Sequence, residues 1–480
     1  MKKYSLLLIF LILTTLEVLA CTIGIASNTI TASNKPILWK SRDISPNTIN
    51  TLRYVDNLTY RFVGVASPNE NRMWMGVNEM GFALANSLSN DLTVDVGEFN
   101  NGNLIYNSLG LVSNLDEFEN YLDFLTTNST IDLELRGNFV AFDAQGNTKL
   151  YEVNNNSYWI FETDEVFNPY LLRTNHSVNG GGIDGIERLV RSTDIIQDLA
   201  NNNQLSVQNI ISKQIRDVSD HQSQPLDLPW AIGDPSPLYN TYYSICRRNT
   251  ISAVVIEGVQ AGEDPKLTTL WLLMGNPFVT HAIPIFPTLR PNLPVINNLS
   301  ENSPELVNIL WNEDNMFLLD TSKFVNDNFS LLPTLEDKET ELYETIEQMK
   351  NEWINQEIDA NNLTSFINQE ASSALTFSSE LFINFTPNDN YEVLPITRLT
   401  SYPNPFQKQV TIEFRSNNNN GLVNIYNLKG QLVKTITQTK QKSVLWDGRD
   451  SNNKNMPNGI YLIKYKNASE TAIGKVLLMK

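Results

Sequence analysis

Cysteine occurs only twice in this 480-residue chain, at positions 21 and 246. Cys21 directly follows Val18-Leu19-Ala20, at the end of a short apolar run (residues 5–16) that begins behind Lys2 and Lys3. A basic start, a short apolar run and small residues before a cut point read as a secretory signal over residues 1–20, too short for a spanning helix. Its removal would make Cys21 the first residue. An α-amino group has a pKa of about 7.7–8.0 and a free thiol about 8.5. A chain that starts with cysteine would therefore carry a nucleophile and its own general base on one residue. Two other readings stand beside this one. Val-Leu-Ala-Cys is a tolerable lipobox, although Leu19 fits it poorly, and Cys21 would then carry lipid on a non-catalytic surface protein. The third reading is an incidental thiol.

Other reactive residue types are sparse. Three histidines (His176, His221, His281) without an H-E-x-x-H or C-x-x-C pair are thin material for zinc. His176 sits next to Asn175 and invites a Cys–His dyad, but a terminal amine already fills the role of base. Gly180-Gly181-Gly182 lacks the Lys-Ser/Thr partner of a phosphate loop and reads as a flexible turn. The formal charge of −18 and pI of 4.7 argue against nucleic acid as a partner. No metal or organic cofactor is implied.

The elements that must position Cys21 begin at Cys21 itself. Residues 22–30 alternate apolar and polar, Ser33-Asn34-Lys35-Pro36 make a turn, and residues 37–40 resume, which predicts a β-hairpin at the new terminus. Further strands are expected at 61–66, 73–77, 82–86, 137–143, 149–153, 252–257, 268–273 and 281–285, with Gln145-Gly146 as a hairpin turn. Helices are expected at 115–126, with Asn114 as N-cap, and at 186–199. Many antiparallel strands with segregated helices predict an α+β layered fold over residues 21–290. Residues 291–385 read as a helical extension with a packing helix at 335–358, and 386–400 as a linker. The last eighty residues hold 12 basic and 4 acidic side chains in an otherwise acidic chain, which marks them as a separate unit. Their short alternating strands (410–414, 422–426, 432–436, 443–446, 459–465 and 475–479) predict a small β-sandwich.

Several stretches occur in a telling order. Cys21-Thr22-Ile23 is followed by Trp39-Lys40-Ser41-Arg42-Asp43, then Met75-Gly76-Val77-Asn78-Glu79-Met80-Gly81-Phe82, Arg173-Thr174-Asn175, and Ser244-Ile245-Cys246-Arg247. In this the chain resembles the N-terminal-nucleophile amidases related to penicillin V acylase, choloylglycine hydrolase and isopenicillin-N acyltransferase. The resemblance implies an αββα sandwich with Cys21 as nucleophile, Asp43 holding its amino group, and Arg42 and Arg247 placing positive charge near the sulfur. Asn175 would be an oxyanion donor through its side-chain amide, with a backbone N–H near residues 86–89 as the second. Arg248 competes with Arg247, since strand alternation lets only one point inward, and Cys246 reads as a buried strand thiol. The first hairpin turn carries Ser33-Asn34 where Asp-Gly is expected, and Ser41 stands in place of an asparagine.

The tail resembles the C-terminal sorting domain of type IX secretion cargo through Tyr402-Pro403-Asn404-Pro405-Phe406, Val423-Asn424-Ile425-Tyr426-Asn427 leading to Gly430, Trp446-Asp447-Gly448-Arg449-Asp450, and Gly459-Ile460-Tyr461. That implies the secretion machinery as partner and release outside, or attachment to the surface of, a Gram-negative cell. The alternative, a carbohydrate-binding sandwich, would need an exposed aromatic platform drawn from Trp446, Tyr402 and Tyr461. Together these readings predict a secreted amidohydrolase that cleaves a linear C–N amide of an acylated small molecule through a thioester. The alternatives are an acyltransferase using the same thioester, or a lipoprotein.

Overall fold

The computed structural model describes residues 20–163, 168–218, 239–310, 316–317, 331–385, 399–404, 406–414, 420–427, 432–439, 443–466 and 471–479. The expected leader up to residue 19, most of the linker, His221, Pro405 and Gly430 lie outside them. The chain divides into two compact units, Met1–Thr386 and Pro387–Lys480.

The strands of the first unit begin with β1 (Ala20–Ala26), β2 (Ile37–Asp43), β3 (Thr51–Val55), β4 (Phe62–Ala66), β5 (Met73–Asn78), β6 (Ala83–Leu88), β7 (Phe99–Asn100) and β8 (Leu133–Glu134). They continue with β9 (Arg136–Phe142), β10 (Thr148–Asn154), β11 (Tyr158–Glu162), β12 (Tyr170–Arg173), β13 (Tyr239–Asn240), β14 (Thr250–Glu257), β15 (Thr269–Met274) and β16 (Ile283–Ile285). One antiparallel sheet runs β12-β1-β2-β14-β15-β16 and a second runs β11-β10-β9-β6-β5-β4-β3. The sheets stack face to face, β1 and β2 against β6 and β9. Ile23, Ile25, Leu38, Met75, Val77, Ala85 and Val140 are buried in the core they share.

Helices close both outer faces. α1 (Asn101–Leu111) and α2 (Leu115–Thr127) cover the second sheet through Leu104, Leu109, Phe118 and Leu122. α3 (Ile186–Asn201), a π-helical stretch Ile210–Ile215, and the helices Leu293–Leu310 and Ala360–Phe385 pack on the first sheet. The result is the four-layer αββα sandwich that the resemblance implied. Asn114 caps α2 as expected, accepting from the Glu117 N–H at 2.9 Å. α1 was not foreseen; Asn100 and Asn103 close a capping box at its start. The Asn78-to-Phe82 stretch is a hairpin turn. Asn78 Oδ1 accepts from the Met80 and Phe82 N–H groups, and Gly81 takes φ +77°, the left-handed conformation that favours glycine.

The second unit is a β-sandwich of a three-stranded and a four-stranded antiparallel sheet, with strands at Leu399–Tyr402, Val410–Phe414, Asn420–Asn427, Leu432–Thr439, Ser443–Trp446, Gly459–Lys466 and Thr471–Leu478. Trp446 is fully buried against Phe406 and Tyr461, its indole N–H donating to the Arg449 carbonyl at 2.8 Å. Tyr461 is buried too, so of the three aromatic residues weighed as a sugar platform only Tyr402 is exposed. The platform reading fails on that burial.

Candidate active site

The register of the first hairpin decides which side chains meet. Cys21 pairs with Arg42, Ile23 with Lys40 and Ala20 with Asp43. Paired residues share a face, and so do residues two apart. Cys21, Lys40 and Arg42 therefore project from one face of the hairpin, while Asp43 projects from the other.

Both ends of the Cys21 peptide unit are gripped. Its backbone N donates to Asn175 Oδ1 at 3.0 Å, and its carbonyl accepts from Arg188 Nη1 at 2.7 Å. Arg188, in the first turn of α3, also donates from Nη1 to Thr22 Oγ1 at 2.9 Å and from Nη2 to Asn175 Oδ1 at 2.6 Å. Asn175 is fixed in turn by Nδ2 donating to the Leu88 carbonyl at 2.9 Å. The segment around it is braced from below. Glu152, fully buried, accepts from Arg173 and from the Val178 and Asn179 N–H groups, and Asn138 Nδ2 donates to the carbonyls of Thr174 and His176. Asp91 accepts from the Ser177 and Gly182 N–H groups. A Cβ at Gly180 would lie 2.3 Å from the Asp91 carboxylate and one at Gly182 2.8 Å from the Asp91 side chain, whereas Gly181 faces open space at φ +76°; the triple glycine is a turn closed down on Asp91 at its two flanking positions.

Asp43 faces Arg247 and Thr250. Arg247 Nε and Nη2 donate to its Oδ2 at 2.9 and 2.7 Å, and Thr250 Oγ1 donates to Oδ1 at 2.7 Å. Among the described residues no hydrogen bond joins Asp43 to Cys21; the group on Cys21 N is the Asn175 carboxamide oxygen. The expected parts for these two residues differ accordingly. Strand alternation turns the Asp43 side chain to the far face, and the Asn175 N–H that was read as an oxyanion donor serves the Leu88 carbonyl. Of the two late arginines, Arg247 points in and Arg248 reaches Asn308 near the surface. Residues 246–247 precede β14 rather than belonging to a strand, so a turn, not strand alternation, makes that choice. Cys246 is fully buried, and burial pushes its thiol up well above the usual range. His176 Nδ1 lies 2.9 Å from the Asp184 carbonyl.

Arg42 donates to Asn50 Oδ1 at 2.7 Å and stacks over the Trp74 ring at 4.8 Å. Burial lowers its pKa to about 10, against the raising influence of Cys21 and Asp43. Two neighbours were not foreseen. Arg188 is lowered to about 10 by burial and by Arg247, with Asp43 and Cys21 acting the other way. Lys40 is buried, its Nζ donating to the Trp74 carbonyl at 2.8 Å and Asn86 Oδ1 at 2.9 Å, and burial lowers it to about 8. Its signal was present: a lysine interrupts the apolar run Ile37-Leu38-Trp39 in a strand buried along its whole length. Arg188 gave no signal, because its partner lies 167 residues away. Among the described residues no group of three His, Cys, Asp or Glu side chains could hold a metal ion, and no helix is long and apolar enough to cross a membrane.

Comparison with known proteins supplies the class of the tail. Residues 400–479 match the family described as the secretion system C-terminal sorting domain, which assigns the chain to type IX export, to the cell surface or beyond. Among solved structures, the chain matches PorZ, a bacterial surface component of the type IX secretion system of Porphyromonas gingivalis. That match has 18% identity over 17% of this chain and 11% of that one, with a TM-score of 0.16. The chain thus spans about a tenth of the length of that component. Penicillin V acylase from Agrobacterium tumefaciens matches at 12% identity over 56% of this chain and 87% of that one, with a TM-score of 0.32. The Caenorhabditis elegans ortholog of N-acylethanolamine-hydrolyzing acid amidase matches at 11% identity over 53% of this chain and 100% of that one, with a TM-score of 0.32. No curated protein sequence matches the chain.

Proposed function

We propose that the chain is a secreted amidase whose nucleophile is Cys21, freed as the first residue when the leader is cut after Ala20. The observation that carries this is the grip on the Cys21 backbone. The nitrogen that would become the free amine already sits 3.0 Å from Asn175 Oδ1, and Arg188 ties that oxygen to the Cys21 carbonyl. An amine so held keeps a fixed place beside the thiol of its own residue, as a general base must. An incidental cysteine needs no such clamp. A lipid-bearing cysteine belongs on a mobile tether, whereas Cys21 is buried within β1, between β2 and β12.

The chemistry then balances as follows. Cys21 Sγ bonds to the substrate carbonyl carbon, and the thiol proton moves to the α-amine. The tetrahedral intermediate collapses, the C–N bond breaks, and the amine's proton leaves with the departing nitrogen. Water adds to the thioester, giving its proton to the same amine; the C–S bond breaks to release a carboxylic acid, and the amine returns its proton to the leaving sulfur, restoring the thiol. Asn175 orients the amine, the Asp43–Arg247 pair fixes the outer side of the hairpin end, and Arg42 supplies positive charge on the Cys21 face. A backbone N–H of residues 86–89 donates to the oxyanion. Hydrolysis and acyl transfer share the thioester; hydrolysis is the reading favoured outside a cell, where acyl-CoA is scarce.

The test uses the exported protein. The mass of its N-terminal peptide should be that of unmodified Cys21 with a free amine, and wild type should turn over a panel of N-acyl amides with aromatic, fatty and steroid acyl groups. Cys21→Ala should abolish turnover while keeping the melting temperature. Diacylglycerol on the sulfur, or equal turnover by the variant, would overturn the proposal.

A further inference from the structure

Lys40 has no place in the reaction as described so far, and its surroundings make it expensive to keep. The β5–β6 ladder ends at the Met75–Ala85 pair. Just beyond, Lys40 reaches across from β2 and donates to the Trp74 carbonyl and Asn86 Oδ1. Both acceptors are neutral. Among the described residues Lys40 makes no ion pair, although it is 1% exposed. An ammonium taken out of water without a counter-ion is strongly disfavoured, and a methionine of similar length would fill the space without that cost. Plugging a gap between strands does not require a charge.

The charged groups that bear on Lys40 are few: Cys21 on β1, and Arg42 and Asp43 on its own strand. Arg42 opposes its charge, and Asp43 projects from the opposite face and is already held by Arg247. That leaves Cys21, on the same face and two residue pairs along, as the group whose negative charge would complete the site. We propose that Lys40 is a functional cation of the candidate active site, its ammonium stabilising the negative charge that forms on Cys21 when the thiol is activated. This rests on Cys21 being the nucleophile, but it concerns the thiol itself and is measurable without a substrate.

The experiment is alkylation of the mature protein by iodoacetamide as a function of pH, with the Cys21 peptide followed by mass so that Cys246 does not interfere. Lys40→Met should raise the pH of half-maximal alkylation rate by about one unit and slow alkylation at pH 7 roughly tenfold, since one unit is a tenfold change in thiolate fraction. Lys40→Arg should keep the wild-type midpoint. Melting temperatures of both variants report folding, and a second neutral variant, Lys40→Gln, covers the case in which methionine does not fold. If the neutral variants fold and alkylate with the wild-type profile, Lys40 is a structural plug and the proposal is wrong. If they shift the profile while wild type cleaves no amide, the amidase reading fails and the Lys40–Cys21 coupling stands.

Discussion

Inside the αββα unit, buried cations away from Cys21 each hold a carboxylate. Arg191 has Asp217, Arg216 has Glu339 and the half-buried Arg173 has Glu152, at 2.7–2.9 Å; nearer the site, Arg247 has Asp43 on the hairpin face turned away from the Cys21 side chain. Around Cys21 the pattern reverses. Lys40, Arg42 and Arg188 bond only to carbonyl, carboxamide and hydroxyl oxygens. Both sets are desolvated, so the difference is not one of exposure. Pairing a buried cation fixes geometry and closes the local charge balance. Leaving three unpaired in one place keeps a region short of negative charge, which a thiolate and then a tetrahedral oxyanion would supply as the reaction proceeds. The comparison separates residues that build the scaffold from residues that wait for a charge.

The comparison can be broken first on its paired side. Arg216 is completely buried and its two terminal nitrogens hold Glu339 at 2.7 and 2.8 Å. Glu339→Gln should destabilise the unit by about 3–5 kcal/mol, because it strands a buried guanidinium. Urea unfolding measures this, and turnover per folded molecule should stay at the wild-type level. An equally large loss of turnover would mean that the two sets are one network. A smaller effect of opposite sign should come from the other side. Asn86→Asp gives Lys40 the carboxylate it lacks, and among the described residues Asn86 Nδ2 has no acceptor to lose. A hydrogen bond to a charged group contributes about 1.5–3 kcal/mol, so stability should rise by up to that amount while turnover falls, the positive charge now being spent at rest. A stabilised variant with undiminished turnover would show that the missing charge has no functional meaning.

How much of this was legible in the sequence follows from what is local. The hairpin, α2, α3 and the tail strands are written in short-range periodicity, and their observed bounds fall within a few residues of the expected ones. α1 was not legible: Asn101-Gly102-Asn103 and Gly110 are poor helix formers, and the helix exists because Asn100 caps it and β5 and β6 receive its apolar face. At the site, Cys21, Asp43, Asn175 and Arg247 do gather in one region, as their motif order suggested. Their contacts were not legible. Which face Asp43 takes depends on register across a ten-residue connection, and a one-residue slip would exchange the faces. Arg188 meets Cys21 only through the packing of α3 on the first sheet, which no spacing rule encodes.

The most gradual effect, spread over more than two pH units, belongs to the unpaired side alone. Burial is the first cause that lowers Lys40, to about 8 from its ordinary 10.5, with Cys21 opposing, Arg42 adding to the decrease and Asp43 opposing. Below pH 8 both folded and unfolded chains carry the charge, and the folded chain bears the full cost of its burial. Between about 8 and 10.5 the folded chain has released a proton that the unfolded chain still binds, so stability rises with pH there, by at most about 1.4 kcal/mol per unit. Above that window both states are neutral and the gain is complete. Lys40→Met has no such proton, and it should be the more stable protein at pH 7. Its advantage over wild type should then shrink across pH 8–10.5, as measured by urea unfolding of the two chains side by side. Differencing the two removes the tyrosines and other lysines that titrate in the same range. Parallel stability curves would mean that Lys40 keeps its proton through that window, and with it a counter-charge that would move it into the paired set.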